Sequence, residues 1–133
     1  MTPELTLLAW TLVLALAQIF LTSSLRTQET GVGYNASARD AASPIPPRMI
    51  TSRMQRAQNN LFEMLPLFIA AVLIVHGAKL ESDKTYLGCM LYFWGRVVYV
   101  PLYALGIKYV RTLAWGVSFV GLIKLLEVIL TAA

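Results

Sequence analysis

Apolar residues dominate four stretches of the chain, and polar residues gather in the connections between them. The stretches cover about residues 5–25, 61–78, 85–106 and 113–130. A helix needs about 20 mostly apolar residues to cross the hydrocarbon core of a bilayer, and each stretch approaches that length. The alternating segments of about ten residues that are typical of a membrane β-barrel do not occur. The pattern therefore predicts an all-α integral membrane protein in which four transmembrane helices form one bundle.

Helix-breaking residues place the ends of these helices. Helices are expected at about residues 4–25, 50–78, 85–107 and 112–130, within a single domain that covers residues 1–133. The first connection, about residues 26–49, is predicted to be a loop because it contains helix breakers, namely Gly31, Gly33, Pro44, Pro46 and Pro47. The first apolar stretch is interpreted as a retained helix. A signal peptide would begin with basic residues, whereas this stretch begins after Glu4.

Composition supports the membrane class. Of the 133 residues, 57% are hydrophobic and 14% are charged, with a mean hydropathy of +0.63. Soluble domains carry about a quarter charged residues, so this composition excludes a disordered protein, a coiled coil and an ordinary water-soluble enzyme. The net charge of +4 does not indicate a nucleic-acid partner, because no recognition motif accompanies it. Cys89 is interpreted as a small buried hydrophobe, and His76 as a membrane-interface residue without metal-ligand partners.

The distribution of Lys and Arg predicts the orientation in the membrane. Seven basic residues belong to the first and third connections and their flanks, namely Arg26, Arg39, Arg48, Arg53, Arg56, Lys108 and Arg111. The second connection holds only Lys79 and Lys84. Since cytoplasmic loops are enriched in these residues, we expect the long first loop in the cytoplasm and both termini outside it. The short connections favour a bacterial inner membrane.

Two polar stripes enter the predicted membrane segments. The first lies within an arc of about 80° on the second helix and consists of Arg53, Arg56, Asn60 and Glu63. The second lies within an arc of about 60° on the third helix and consists of Arg96, Tyr99 and Tyr103. Ionisable residues inside a span are costly, so each is a functional-site hypothesis.

These residue types suit a small, flexible ligand that carries both acidic and amino groups. Arginine offers two parallel donors to a carboxylate, and amide and phenol groups add neutral hydrogen bonds. The alternative is a structural ion-pair network in which Glu63 neutralises Arg56 and Arg96. On the fourth helix, Lys124 and Glu127 are interpreted as a self-neutralising pair at i and i+3.

Residues 53–68 resemble the second-helix signature of the MAPEG family, the membrane-associated proteins of eicosanoid and glutathione metabolism. They read RMQRAQNNLFEMLPLF and fill every position of the family pattern R-x-x-R-A-x-x-N-x-x-E followed by P-x-F. The run RVVYVPLY from Arg96 is similar to the family's R-x-x-Y-x-x-x-Y, and Arg111 falls where many members carry a catalytic arginine. A fixed pattern of this length is far more specific than a short glycine motif.

The resemblance implies a four-helix protomer that assembles as a homotrimer. Glutathione would bind as co-substrate, without a metal, in a U shape between neighbouring protomers near the cytoplasmic side. Enzymatic members conjugate lipophilic electrophiles, reduce lipid hydroperoxides or isomerise a prostaglandin endoperoxide. The implied glutathione contacts are Arg56, Asn60, Glu63, Tyr99 and Tyr103, with Gln58 and Arg26 as weaker candidates. Arg53 and Arg96 either bind the ligand or brace the network.

Arg111 is the catalytic residue that the resemblance implies. A free thiol has a pKa near 8.5 that nearby cations lower, so Arg111 would stabilise the glutathione thiolate. The interval between Tyr103 and Arg111 varies among branches, and Thr112 stands where one branch has a serine. Two alternatives stay open: a non-enzymatic lipid-binding or scaffold protein of the same family, and a small transporter subunit with an intramembrane ion-pair network.

Overall fold

The computed structural model describes residues 1–40, 43, 45–107 and 109–133, and all regular structure in these ranges is helical. Five helices follow one another, namely α1 (Pro3–Thr30), α2 (Val32–Ala36), α3 (Met49–Gly77), α4 (Asp83–Ala104) and α5 (Val110–Ala132). The predicted all-α class is confirmed. Pro44, predicted as a helix breaker, and Lys108, counted as a basic residue of the third connection, lie outside the described residues.

Helix α1 is longer than its apolar run. The Thr2 side chain accepts a hydrogen bond from the Leu5 amide at 3.2 Å, which caps the first turn. The prediction of a loop from residue 26 was wrong, because the helix continues to Thr30 and α2 follows within the predicted loop. The helix ends before Gly31, whose φ of +88° favours glycine. The prediction took the end of the apolar run as the end of the helix, whereas the helix itself continues as far as the glycine.

The other helix ends differ from the predicted ones by a few residues. Helix α3 begins at Met49, one residue before its predicted start. Helix α4 begins two residues early because Ser82 and Thr85 form a reciprocal capping box. The same helix ends at Ala104, ahead of Gly106, which has a φ of +71°.

Three helices, α1, α3 and α5, are long and apolar enough to cross a membrane. The sequence predicted four spanning segments, and α4 is the fourth long helix, with 22 residues. Its sequence contains Arg96 and four tyrosines, which make it more polar than the other three. Arg96 and Tyr99 of its polar stripe are buried in the bundle, and Tyr103 is half-buried.

Close packing between α4 and α5 fixes the position of the site. A Cβ atom at Gly95 would lie 2.8 Å from the Ser118 amide nitrogen, so only glycine fits at this helix contact. Small residues allow neighbouring membrane helices to approach in this way. Phe68 of α3 stacks on Tyr92 of α4, with ring centroids 3.9 Å apart, in the buried core. The second half of α4 is thereby held against both α3 and α5.

Candidate functional site

The polar stripes of α3 and α4 meet α5 at a cavity of about 260 Å³, which we call the arginine cavity. Its lining residues are Arg53, Arg56, Tyr103, Gly106 and Arg111. Among the described residues, no carboxylate lines it. Three guanidinium groups without a local counter-charge make the cavity suited to an anionic ligand.

Tyr103 lies at the centre of the arginine cavity. Its hydroxyl oxygen accepts a hydrogen bond from Arg56 Nε at 3.0 Å. The Arg111 guanidinium carbon lies 4.6 Å from the centroid of the same ring, within the range of a cation–π contact. The ring thus positions two arginines from different helices without neutralising either of them.

Gly106 lines the arginine cavity at a position where a side chain would not fit. A Cβ atom at this position would lie 2.6 Å from the Arg53 guanidinium carbon. Arg53 reaches across this glycine and donates from Nη1 to the Ala104 carbonyl oxygen at 3.4 Å. Sequence reasoning did not single out Gly106, although a glycine shortly after the polar stripe of the third predicted helix could have indicated a site residue.

Arg96 lies deeper in the bundle and is fully buried. It donates from Nη1 to Asn60 Oδ1 at 2.7 Å, and its guanidinium carbon lies 4.4 Å from the Tyr99 ring centroid. Its Nε and Nη2 atoms have no hydrogen-bond partner in the described part of the chain. Arg96 therefore contributes positive charge behind the cavity and links α4 to α3.

The alternative ion-pair network is not formed within this single chain. In the described ranges the ion pairs are Arg26–Glu29, Arg48–Glu29, His76–Glu81 and Lys84–Glu127. Glu63 is exposed on α3 and belongs to none of them. A structural role for Arg56 and Arg96 through Glu63 is thus not supported by the geometry of one protomer.

Arg26 and Gln58 lie in a different cavity, of about 230 Å³, between α1 and α3. We call it the amide cavity, because its lining also includes Asn35, Gln55 and Asn59. Gln58 lies about 160° around α3 from Arg56, so the two cavities occupy opposite faces of that helix. The structure therefore does not bring all predicted contacts together within one chain. Sequence reasoning missed Asn35, which lies on α2 within the predicted loop, and also Gln55 and Asn59, which lie outside the arc of the predicted stripe.

An apolar groove of about 360 Å³ begins beside the arginine cavity. Thr112, which follows Arg111 directly, lines the groove together with Leu91 of α4 and Val117 of α5. The rest of its lining is almost entirely apolar. A hydrophobic molecule in this groove would therefore lie close to the Arg111 end of the polar cavity.

Three further sequence interpretations concern the opposite end of the bundle. Glu127 contacts Lys84 of α4, so the predicted self-neutralising pair of Glu127 with Lys124 was wrong. The i, i+3 spacing could not show that a cation on another helix lies closer. Cys89 is free and fully buried, which confirms its interpretation as a small core residue.

His76 lies near the end of α3, half exposed, and its Nδ1 is 2.9 Å from Glu81 Oε1. The Glu81 backbone amide and the His76 side chain hold the pKa of this carboxyl below its usual range. Glu81 is therefore ionised at neutral pH. Among the described residues, no group of three His, Cys, Asp or Glu side chains is arranged to hold a metal ion.

A family model describes nearly the whole chain. The model of the MAPEG family matches residues 7–131. The chain belongs to the MAPEG family. This confirms the resemblance inferred from the motifs, and together with the apolar helices it indicates an integral membrane protein. No curated protein and no solved structure significantly matches the chain.

MAPEG proteins include glutathione transferases and related enzymes, as well as members that are not enzymes. In this MAPEG chain the motif residues separate into groups by their surroundings. Four line the arginine cavity together with Gly106, namely Arg53, Arg56, Tyr103 and Arg111. Asn60, Arg96 and Tyr99 are connected behind it, Arg26 and Gln58 line the amide cavity, and Glu63 is exposed.

Proposed function

We propose that this chain is a glutathione-dependent membrane transferase or peroxidase that acts on lipophilic electrophiles. The observation that carries the proposal is the arginine cavity, where three guanidinium groups surround Tyr103 without a carboxylate among the described residues. Glutathione is a flexible tripeptide with two carboxylates, an amino group and a thiol. Guanidinium forks bind carboxylates through paired hydrogen bonds, so this lining complements its net negative charge.

The two cavities on opposite faces of α3 support binding between protomers of a homotrimer. Arg26 and Gln58 are separated from Arg56 by the body of the helix. A neighbouring copy would present its amide cavity to the arginine cavity of the first protomer. The amides of the former suit the amino and peptide groups of glutathione, and the arginines of the latter suit its carboxylates. Glu63, exposed in one chain, would then find its amino partner in the ligand.

Arg111 would activate the bound thiol. A guanidinium remains charged at any physiological pH and favours the thiolate over the thiol. Each unit by which the thiol pKa falls corresponds to about 1.4 kcal/mol of preferential stabilisation. In the transferase reaction, the thiolate sulfur forms a bond to the electrophilic carbon while the leaving group departs or the electron pair moves into the substrate. In the peroxidase reaction, two glutathione molecules reduce a hydroperoxide to an alcohol and water and form glutathione disulfide.

The apolar groove beside Thr112 supports a lipophilic second substrate. Its lining offers almost no polar groups, so binding there would rely on burial of apolar surface. The membrane would already concentrate such a molecule next to the protein. An electrophile at the Thr112 end of the groove would approach the sulfur of a glutathione bound near Arg111.

The groove also supports a second candidate, a lipid-binding member of the family without catalytic activity. That function needs the groove but does not need unneutralised arginines. It predicts that lipid binds without turnover of glutathione. The retention of Arg56, Arg96 and Arg111 together favours the enzyme.

Calorimetric titration of glutathione into the purified, detergent-solubilised protein tests the proposal. We expect saturable binding, and we expect Arg56→Ala to weaken it by about 10- to 100-fold, the usual effect of losing a hydrogen bond to a charged group. Lys79→Ala removes a cation that lines neither cavity and is the matched control. No binding of millimolar glutathione would overturn the enzyme and favour the lipid-binding protein.

A further inference from the structure

A buried carboxylate lies at the end of the bundle opposite the arginine cavity. Glu4 in the first turn of α1 has only 3% of its surface exposed. Its Oε1 atom accepts a hydrogen bond from the Thr85 hydroxyl of α4 at 2.7 Å. Its Oε2 atom is buried and has no hydrogen-bond partner in the described ranges. A buried acceptor without a donor is costly, so this oxygen calls for a partner that the described chain does not supply.

Glu4 also lines an open cavity of about 450 Å³, which we call the acidic cavity. Glu81, Asp83 and the ring of Tyr86 lie on its other walls. Helices α1 and α4 both begin here, and each N-terminus carries a partial charge of about +0.5. Three carboxylates exceed these two partial charges. Glu81 contacts His76 at 2.9 Å, whereas Glu4 and Asp83 belong to none of the ion pairs of the described residues, so the cavity is negative overall. The nearby Lys84 does not change this balance, because its ammonium group contacts Glu127.

The size and lining of the acidic cavity favour an organic cation over a metal ion. No three ligating side chains of the described residues are close enough together to coordinate a metal. The volume of about 450 Å³ falls within the range of small-molecule pockets, about 300–1,000 Å³. An ammonium group supplies three N–H donors, and the exposed Tyr86 ring adds a surface that attracts cations.

We propose that the acidic cavity binds a primary ammonium group, which donates to the carboxylates that it reaches among Glu4, Glu81 and Asp83, beside the ring of Tyr86. Because the cavity opens at one end of the apolar helices, the ammonium can come from a phospholipid headgroup in the membrane surface or from a soluble amine. Both sources share the same recognition chemistry. This site is separate from the arginine cavity, and its existence does not depend on glutathione chemistry.

Native mass spectrometry of the full-length protein in detergent tests the proposal and separates the two sources. Phosphatidylethanolamine carries a primary ammonium with N–H donors, whereas phosphatidylcholine carries a quaternary one without them. We expect phosphatidylethanolamine to bind about tenfold more tightly than phosphatidylcholine if the source is lipid. If the source is soluble, free ethanolamine raises the thermal unfolding midpoint and the two lipids bind equally.

Substitutions within the acidic cavity localise the effect. Glu4→Gln keeps the shape of the side chain and removes its charge, and we expect about tenfold weaker binding of the preferred amine. Asp83→Asn changes an exposed residue, so it tests the cavity even if Glu4→Gln prevents folding. Asp40→Asn removes an exposed carboxylate from the connection between α2 and α3, which does not line the cavity, and it should leave binding unchanged. Equal binding of both lipids with no response to ethanolamine, or no effect of Asp83→Asn, would overturn the proposal.

Discussion

Two groups of arginines lie at the same end of the bundle and differ in what surrounds their charge. In the first group, Arg26 and Arg48 both contact Glu29, at 3.0 and 2.9 Å. Thr51 of α3 donates to the same carboxylate, and Arg26 also donates to the Ile45 carbonyl at 2.8 Å. These contacts join the end of α1 to the start of α3, and both guanidinium groups have a carboxylate partner inside the protein.

The second group consists of the three arginines of the arginine cavity. Arg56 and Arg111 contact Tyr103, and Arg53 contacts a backbone carbonyl, but none of them has a carboxylate partner within 4 Å among the described residues. Guanidinium groups whose donors are not used inside the protein are available to a ligand. The same residue type thus has a carboxylate partner inside the protein in the first group, whereas in the second group, under the proposed function, it binds the ligand.

The largest expected effect comes from Arg111→Ala. If Arg111 stabilises the thiolate, kcat should fall by about 10²- to 10³-fold, the usual loss when one electrostatic contact to the reacting group is removed. Glutathione affinity should change only a few-fold, because Arg53 and Arg56 still bind the carboxylates. Steady-state kinetics and calorimetry measure the two effects. Equal losses of kcat and affinity would instead make Arg111 a carboxylate clamp.

A smaller effect is expected for Tyr103→Phe. This change removes the hydroxyl that accepts from Arg56 but keeps the ring that contacts Arg111. The lost bond positions Arg56 and does not itself hold the ligand, so the dissociation constant for glutathione should rise by only about 2- to 12-fold, which corresponds to about 0.5–1.5 kcal/mol. Tyr86→Phe, at the opposite end of the bundle, is the control. An unchanged dissociation constant would show that the Arg56 position does not depend on this bond.

Glu29→Gln tests the first group of arginines, whose charge Glu29 neutralises. The carboxylate accepts from Arg26, Arg48 and Thr51, so its loss should lower the thermal unfolding midpoint by a few degrees. The kcat value at saturating glutathione should stay unchanged, because Glu29 does not line the arginine cavity. Glu127→Gln, in a pair whose side chains are about half exposed, is the matched control. A large loss of kcat with an unchanged midpoint would remove the distinction between the two arginine groups.

Arg48→Ala should have the smallest effect. More than half of the Arg48 side chain is exposed, and Glu29 keeps Arg26 and Thr51 as partners when Arg48 is removed. We expect the unfolding midpoint and the glutathione affinity both to match the unsubstituted protein within error. A clear loss of glutathione affinity would show that Arg48 belongs to the binding group.

Helical periodicity predicted the local part of the site. The spacing of Arg53, Arg56 and Asn60 placed them on one face of a helix, and that face meets α4 through the Asn60–Arg96 and Arg56–Tyr103 contacts. Such contacts form where two polar stripes face each other, and the 3.6-residue repeat determines where each stripe lies on its helix. The family match then confirmed the family that the motif indicated.

Contacts between separate helices were beyond the reach of the sequence. Spacing paired Glu127 with Lys124, whereas packing brings Lys84 of α4 to it. The two-residue interval between Arg56 and Gln58 places them about 160° apart on one helix, but it does not show which cavity each of them lines. The end of α1 was missed for another reason, since apolarity ends at Leu25 but the backbone continues in a helix to Thr30.

Ultraviolet difference absorbance in the thiolate band tests the central claim most directly. Glutathione is titrated at neutral pH into the purified protein and, in parallel, into Arg111→Ala. We predict a saturable thiolate signal with the unsubstituted protein and a much weaker signal with the variant, at similar occupancy. Saturated binding without a thiolate signal would contradict activation by Arg111 and leave the unneutralised arginines as a binding site alone.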